Sequence, residues 1–232
     1  TPRGQKVEDA YPVLKGDVRI KTETINFGDI AKGETGKAIL SLANISKKDA
    51  LITFIDNPPF INAETKSIKP DEKGNISLSL NTTLLKEWGR IQEDIYFITG
   101  NIKDKNATKH KVTITANIFE RFTEQQIANA PTLQIANEIV AGEVIKGKTK
   151  TVIATFKNTG KSTLFVRNIK AAGSSIKIKS YTKEVAVGKE GKIKLTIDAT
   201  KLSSQDYRET ISLMVNDPQN VNKNFVLSYK VK

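Results

Sequence analysis

The sequence predicts an all-β protein made of two tandem immunoglobulin-like β-sandwich domains. Three observations support this fold class: one segment occurs twice, each half holds about seven short apolar runs that alternate with polar residues, and neither half contains a convincing long helix. At 232 residues, the chain is long enough for two domains of common size, each with its own hydrophobic core.

The repeated segment covers residues 28–47 and recurs without a gap at residues 142–161, which is a period of 114 residues. Seven of the twenty aligned positions are identical: Gly28/Gly142, Lys32/Lys146, Gly33/Gly147, Thr35/Thr149, Ile39/Ile153, Asn44/Asn158 and Lys47/Lys161. A period of this length indicates two copies of one domain. The paired asparagines follow a predicted strand, where an amide side chain can satisfy backbone groups as the chain turns.

The repeat and the turn residues divide the chain into four parts. Residues 1–16, rich in Pro and Gly, are predicted to be an N-terminal tail, and residues 17–120 form the first domain. Residues 121–131 form a short linker with one helical turn, and residues 132–232 form the second domain.

Alternating apolar residues predict the strands of each domain. In the first domain these are residues 18–21, 24–27, 37–45, 51–55, 74–80, 93–99 and 110–119. In the second domain the later strands are residues 164–169, 175–180, 192–197, 209–215 and 224–231. For residues 37–45 the sequence leaves two core faces open, one with Leu40 and Leu42 and one with Ile39 and Ala43.

Positive charge is concentrated in the second half of the chain. Residues 1–120 carry 18 Lys and Arg against 16 Asp and Glu, whereas residues 121–232 carry 19 against 9. Period-two alternation in 176–179 and 192–195 sends the apolar side chains inward and the lysines to the opposite, solvent face. Lys177, Lys179, Lys192 and Lys194 are therefore the candidate anion-binding face, and a purely solubilising surface is the alternative.

Catalytic and metal chemistry finds no support in the sequence. The chain contains no cysteine, which excludes disulfides, zinc thiolates and cysteine nucleophiles. Its single histidine, His110, stands between two lysines with no orienting carboxylate nearby in sequence. Gly160-Lys161-Ser162 lacks the earlier glycine of a phosphate-binding loop, and the oxygen-rich segment 216–220 favours a hairpin turn over a calcium loop. We therefore expect a protein that is not an enzyme, with no catalytic residues, cofactor or metal.

A family resemblance covers nearly the whole chain. Phe27-Gly28-x-Ile30-x-x-Gly33 with the strand ending in Asn44, and the second copy through Gly142, Gly147 and Asn158, resemble the bacterial domain-of-unknown-function family 1573. These immunoglobulin-like domains occur mainly in Bacteroidetes and are distantly similar to major-sperm-protein and Hydin-type domains. The family commonly carries Cys-Gly-Cys where this chain has Asn57-Pro58-Pro59-Phe60 and Ala171-Ala172-Gly173-Ser174. The resemblance implies an extracytoplasmic interaction module, in the periplasm or on the cell surface, with no activity to transfer.

The functional hypothesis is a non-catalytic cell-envelope module that binds a protein or an anionic surface polysaccharide. The alternative is weak, non-specific nucleic-acid binding through the basic second domain, which is disfavoured because few arginines and no regularly spaced aromatics accompany the lysines. No apolar run is long enough for a transmembrane segment. A start at Thr1 rather than Met is compatible with a removed leader or a lipid anchor upstream, and the sequence predicts no oligomeric state.

Overall fold

The structure is a computed structural model that describes residues 6–232. Strands account for 58% of the chain and helices for 5%, which confirms the all-β prediction. The chain divides after Arg121 into two compact units, each with two sheets facing one hydrophobic core. No helix among the described residues is long and apolar enough to cross a membrane.

From residue 6 onward, the first unit consists of the short helix α1 followed by ten strands. The bounds are α1 Val7–Ala10, β1 Val13–Lys15, β2 Val18–Ile20, β3 Thr24–Ala31, β4 Thr35–Asn44, β5 Ala50–Ile55, β6 Ile61–Ala63, β7 Lys66–Ile68, β8 Lys73–Asn81, β9 Gly89–Thr99 and β10 His110–Phe119. A 3₁₀ turn, Thr82–Leu84, follows β8. One sheet has the strand order β1-β2-β4-β8-β6, and the facing sheet has the order β3-β10-β9-β5-β7.

The second unit begins with helix α2 and continues with nine strands. The bounds are α2 Glu124–Ala128, β11 Leu133–Ile135, β12 Glu138–Val144, β13 Thr149–Asn158, β14 Leu164–Ala171, β15 Ile176–Tyr181, β16 Glu184–Val185, β17 Glu190–Asp198, β18 Asp206–Val215 and β19 Asn222–Val231. Its sheets have the orders β11-β13-β17-β15 and β12-β19-β18-β14-β16.

The two units share one frame, as the sequence repeat predicts. In each unit, one strand at a sheet edge runs parallel to the last strand of the unit: β3 beside β10, and β12 beside β19. Both edge strands shift register at a glycine in the left-handed region, Gly28 with φ 71° and Gly142 with φ 75°. Glycine adopts this φ without a Cβ clash, so the repeated glycine places the same bulge in both edge strands.

Burial follows the alternation of the sequence. Leu40 and Leu42 are buried, whereas Ile39, which precedes them, is 57% exposed, and this settles the core face of β4. The cleanest alternating runs, in β8 and β17, also turn their apolar residues inward, and these residues are Ile76, Leu78, Leu80, Ile193, Leu195 and Ile197. Full burial of each such side chain contributes roughly 1.5–3 kcal/mol relative to exposure. The two cores thereby hold their sheets together without a disulfide.

The predicted tail over residues 1–16 needs correction. Residues 1–5 lie outside the described part of the chain, but β1 pairs antiparallel with β2 around Gly16, whose φ is 60°. The Arg19 side chain secures this hairpin by donating hydrogen bonds to the carbonyls of Tyr11 and Pro12, both at 2.8 Å. The tail prediction failed because a three-residue strand is too short to show alternation.

The stretch predicted as a linker, residues 121–131, contains the predicted helical turn, α2, which belongs to the second compact unit. Thr123 starts it with a capping box, in which its hydroxyl accepts from the backbone N–H of Gln126 and the Gln126 side chain accepts from the backbone N–H of Thr123. The end of this stretch is bound to the loop after β13, because the N–H of Lys161 donates to the carbonyl of Ala130 at 2.9 Å.

Candidate anion-binding face

The candidate site lies on the outer face of the sheet β11-β13-β17-β15. In β17, Ile193, Leu195 and Ile197 point into the core, so Lys192 and Lys194 point outward and are exposed. The strand is held close to its neighbour at Gly191, where an added Cβ would lie 2.4 Å from the ring of Phe156. The backbone of β17 therefore fixes the direction of both lysines.

The neighbouring strand β15 contributes the other two lysines. Lys177 pairs with Thr196 and is exposed, whereas Ile176 beside it is buried. A register shift between Ile178 and Ser180 leaves Lys179 as an extra residue, and both Lys179 and Ser180 are exposed. All four predicted lysines thus lie on one face, with about 6.8 Å between alternate residues of a strand and about 4.8 Å between strands. We call this set of four residues the lysine face.

Carboxylates lie only at the ends of β17. Lys177 is 3.7 Å from Asp198 at one end, and Glu190 at the other end pairs across the sheet with Lys157. The pKa of Asp198 is lowered, first by the hydrogen bonds from Thr200 and then by the charge of Lys177. Lys179, Lys192 and Lys194 form no ion pair with any residue in 6–232. The middle of the lysine face therefore carries uncompensated positive charge.

The same face of the first unit has no lysine at the positions equivalent to the lysine face. When the strand pairings of the two units are aligned, the equivalent residues are Lys177 and Asn62, Lys192 and Asn75, Lys194 and Ser77, and Ser180 and Glu64. Lys179, the extra residue of the bulge, has no equivalent. The side chains of two of these first-unit residues, Asn75 and Glu64, accept hydrogen bonds within the sheet. The Ser41 hydroxyl donates to Asn75 Oδ1 at 2.8 Å, and the Ser77 N–H donates to Glu64 Oε2 at 3.1 Å. The four lysines of the lysine face therefore have no lysine at the equivalent positions of the first unit, whose corresponding face carries exposed Lys37 on β4 and Lys73 on β8.

Each unit also contains a buried asparagine at the end of a strand, Asn44 in β4 and Asn158 in β13, and its side chain holds the loop that follows. The Asn44 amide donates to the carbonyls of Lys48 and Ile68, at 2.7 and 2.9 Å. The Asn158 amide donates in the same way to Ser162 and Val185, at 2.8 and 2.9 Å. These bonds confirm the structural role that the sequence predicts for the paired asparagines.

His110 and Asp217, which lies in the oxygen-rich segment, both make contacts within the fold. His110 is half-buried against Phe97, with ring centroids 5.3 Å apart, and burial lowers its pKa, with a further decrease from Lys15. Asp217, in the turn between β18 and β19, is 2% exposed and accepts hydrogen bonds from the N–H groups of Leu133 and Gln219, both at 3.0 Å. Residues 6–232 contain no group of three or more His, Cys, Asp or Glu that could hold a metal ion.

Two side-chain contacts that the sequence analysis did not predict protect strand edges of the second unit. The Lys150 ammonium donates to the carbonyls of Ala141 and Glu143 on β12, at 2.6 and 3.0 Å. Asp217 occupies the N–H of Leu133 on β11. The signal for Lys150 is a difference within the repeat, because Gly36 stands at the corresponding place. For Asp217 the sequence indicates only a turn, and nothing in it points to the bond with Leu133. Occupied edge groups oppose pairing with an added strand.

The frame and its sites define a tandem immunoglobulin-like protein with a basic face on its second unit. A family model described as HYDIN/CFA65/VesB-like, Ig-like domain matches residues 16–117 and again residues 131–227. The chain therefore belongs to the HYDIN/CFA65/VesB-like family of immunoglobulin-like domains. This match confirms the predicted likeness to Hydin-type domains.

A solved structure with a TM-score above 0.5 shows the same fold. A protein of unknown function from Porphyromonas gingivalis, a member of the Bacteroidetes, is 15% identical with a TM-score of 0.61, and the match covers 93% of this chain and 100% of that one. The YadV chaperone is 11% identical over 91% of this chain and 100% of its own, with a TM-score of 0.33. The PapD-like domain 7 of human CEP192 is 12% identical over 53% of this chain and 99% of its own, with a TM-score of 0.36. No curated protein matches the chain.

Proposed function

We propose that this chain is a non-catalytic interaction module of the cell envelope, which binds an anionic surface polymer through the lysine face of its second unit. The observation that carries this proposal is the position of four exposed lysines on one sheet face, with carboxylates only at the ends of β17. Such a field attracts anions, and several lysines together bind a polymer better than a single small anion.

The strand edges of the second unit are protected against pairing with an added strand, which supports the outer face of a sheet as the binding surface. Lys150 covers two carbonyls of β12, Asp217 covers an N–H of β11, and the remaining edge strand of that second sheet, β16, has only two residues. Strand β15 carries a bulge and two lysines, features that oppose pairing with another strand. In this unit the outer face of the basic sheet is therefore the surface best suited to a ligand.

The proposed location is outside the cytoplasm, in the periplasm or on the cell surface. The resemblance to Bacteroidetes envelope domains supports it, and anionic surface polymers are found there. Fractionation of cells that express the full native gene tests this part independently. Recovery of the protein in the cytoplasmic fraction would contradict it.

Binding to heparin, used as a model polyanion, tests the function. The full chain is compared with a variant in which Lys177, Lys179, Lys192 and Lys194 are changed to Gln. A matched control loses the same charge from exposed lysines of the first unit, through Lys21→Gln, Lys69→Gln, Lys103→Gln and Lys105→Gln.

The expected size of the effect follows from counterion release. Each contact between a lysine and the polymer releases roughly 0.7 counterions. If three to four lysines make such contacts, raising the salt concentration from about 50 to about 200 mM should lower the affinity about 20- to 50-fold. The variant of the lysine face should lose most of this dependence, and the control should keep it. Equal salt dependence in the native protein and the lysine-face variant would overturn the proposal.

A further inference from the structure

Hydroxyl groups lie beside the lysines on the same face. Thr155 pairs across the sheet with Lys192, Ser180 pairs with Lys194, and Thr196 pairs with Lys177. Thr151 lies on the other side of Thr196 and is exposed. Because paired residues on one face lie about 5 Å apart, each ammonium group has a hydroxyl within reach of the same ligand.

These hydroxyls are available for a ligand. The side chains of Thr151, Thr155, Thr196 and Ser180 form no hydrogen bond with any other residue of the described chain. In the first unit, the residue corresponding to Thr155 is Ser41, and its hydroxyl already donates to Asn75. The face of the second unit thus offers both ammonium and free hydroxyl groups, whereas part of the first unit's face is occupied by its own bonds.

The face also lacks the groups that read nucleic acids. Its outward residues on β13, β15 and β17 include no arginine and no aromatic residue, since Phe156 and Tyr181 pack against the core. Base stacking requires exposed aromatic rings or Arg planes. An aliphatic side chain, Ile153, is 49% exposed beside Lys194 and offers an apolar contact instead.

We infer that the polymer is an acidic polysaccharide. The lysines bind its anionic groups, the hydroxyls of Thr151, Thr155, Thr196 and Ser180 bind its sugar hydroxyls, and Ile153 contacts the apolar face of a sugar ring. This inference rests on the proposed function, since it assigns the ligand class for the same face. Hydroxyl groups can both donate and accept hydrogen bonds, which matches the mixed donors and acceptors of a sugar.

A variant without the hydroxyls tests the inference. It carries Thr151→Val, Thr155→Val, Thr196→Val and Ser180→Ala. Valine keeps the branched shape of threonine and is favoured in strands, so the fold is retained, and unfolding in urea verifies this. The probes are heparin and inorganic polyphosphate, which is a polyanion without sugar.

The expected result separates charge from sugar recognition. The hydroxyl variant should bind heparin about tenfold more weakly, which corresponds to a few lost hydrogen bonds, with unchanged salt dependence and unchanged affinity for polyphosphate. Unchanged heparin affinity in this variant would overturn the inference, and if Lys→Gln changes still weakened binding, the proposed function would stand. A single-stranded DNA oligonucleotide that binds more tightly than heparin at equal salt would also overturn the inference.

Discussion

Replacing Asn158 by alanine should destabilise the second unit strongly and leave the first unit unchanged. The Asn158 amide donates to two carbonyls, and its Oδ1 accepts from the N–H groups of Gly160 at 3.0 Å and Thr132 at 3.3 Å. Alanine removes all four bonds and offers no replacement. The side chain is 0% exposed, so water has little access to the space it leaves.

The magnitude follows from the groups left without a partner. The bond to Val185 is buried, and the other three are partly buried, so water can satisfy those three in part. An unsatisfied buried polar group costs about 1–3 kcal/mol, so the total loss should be about 3–5 kcal/mol. For a domain whose whole free energy of unfolding is about 5–15 kcal/mol, this is a large fraction.

Urea unfolding with two signals distinguishes the units. The single tryptophan, Trp88, lies in the first unit, so its fluorescence reports that unit, whereas far-ultraviolet circular dichroism reports both. Asn158→Ala should lower the midpoint of a circular-dichroism transition by about 1–3 M urea and leave the fluorescence midpoint in place. Asn44→Ala should have the reverse effect, and exposed Asn62→Ala should change neither. A loss below about 1 kcal/mol in Asn158→Ala would refute the reasoning.

Three further results are expected. Asp217→Ala leaves a backbone N–H of strand β11 unpaired, so it should lower stability and increase self-association, as measured by analytical ultracentrifugation. Burial lowers the pKa of His110 in the folded chain, so its contribution to stability should be present above about pH 6.5 and decrease as the pH falls; urea midpoints of His110→Gln should depend less on pH. Transfer of the basic face to the first unit should restore heparin binding to a protein whose own lysine face is changed to Gln, and a transfer variant that binds no heparin would contradict the role of the face. The transfer consists of Asn62→Lys, Glu64→Ser, Asn75→Lys and Ser77→Lys.

The sequence predicts the fold because its signals are local and repeated. The gapless repeat places β3 with β12 and β4 with β13, and alternation selects the buried side of β8 and β17. Strand β1 escaped prediction because its three residues are too few to show alternation, and because Arg19 reaches back to the carbonyls of Tyr11 and Pro12 only once the hairpin has formed. Such a contact depends on a side chain whose target is set by the folded hairpin.

The candidate site was predictable only in part. The alternation of apolar and polar residues predicts that Lys192 and Lys194 point to solvent. It does not predict the order of strands in the sheet, so the position of β15 beside β17 became known only from the structure. The bulge that adds Lys179, and the approach of Asp198 to Lys177, are likewise tertiary features. The anion-binding role of these lysines stays a prediction until binding is measured.

The comparison of the two units explains why the face could differ while the frame stayed the same. Identical residues of the repeat include the bulge glycines Gly28 and Gly142 and the buried asparagines, whose replacement would cost several kcal/mol. Outward residues of β8 and β17 contribute little to stability, since exposed substitutions usually change it by less than about 0.5 kcal/mol. Lysines can therefore accumulate on one face without loss of the fold. It follows that transfer of the lysine face to the first unit should leave the free energy of unfolding of that unit nearly unchanged and raise its affinity for polyanions. A large loss of stability in that variant would show that the outer-face residues are needed for the fold.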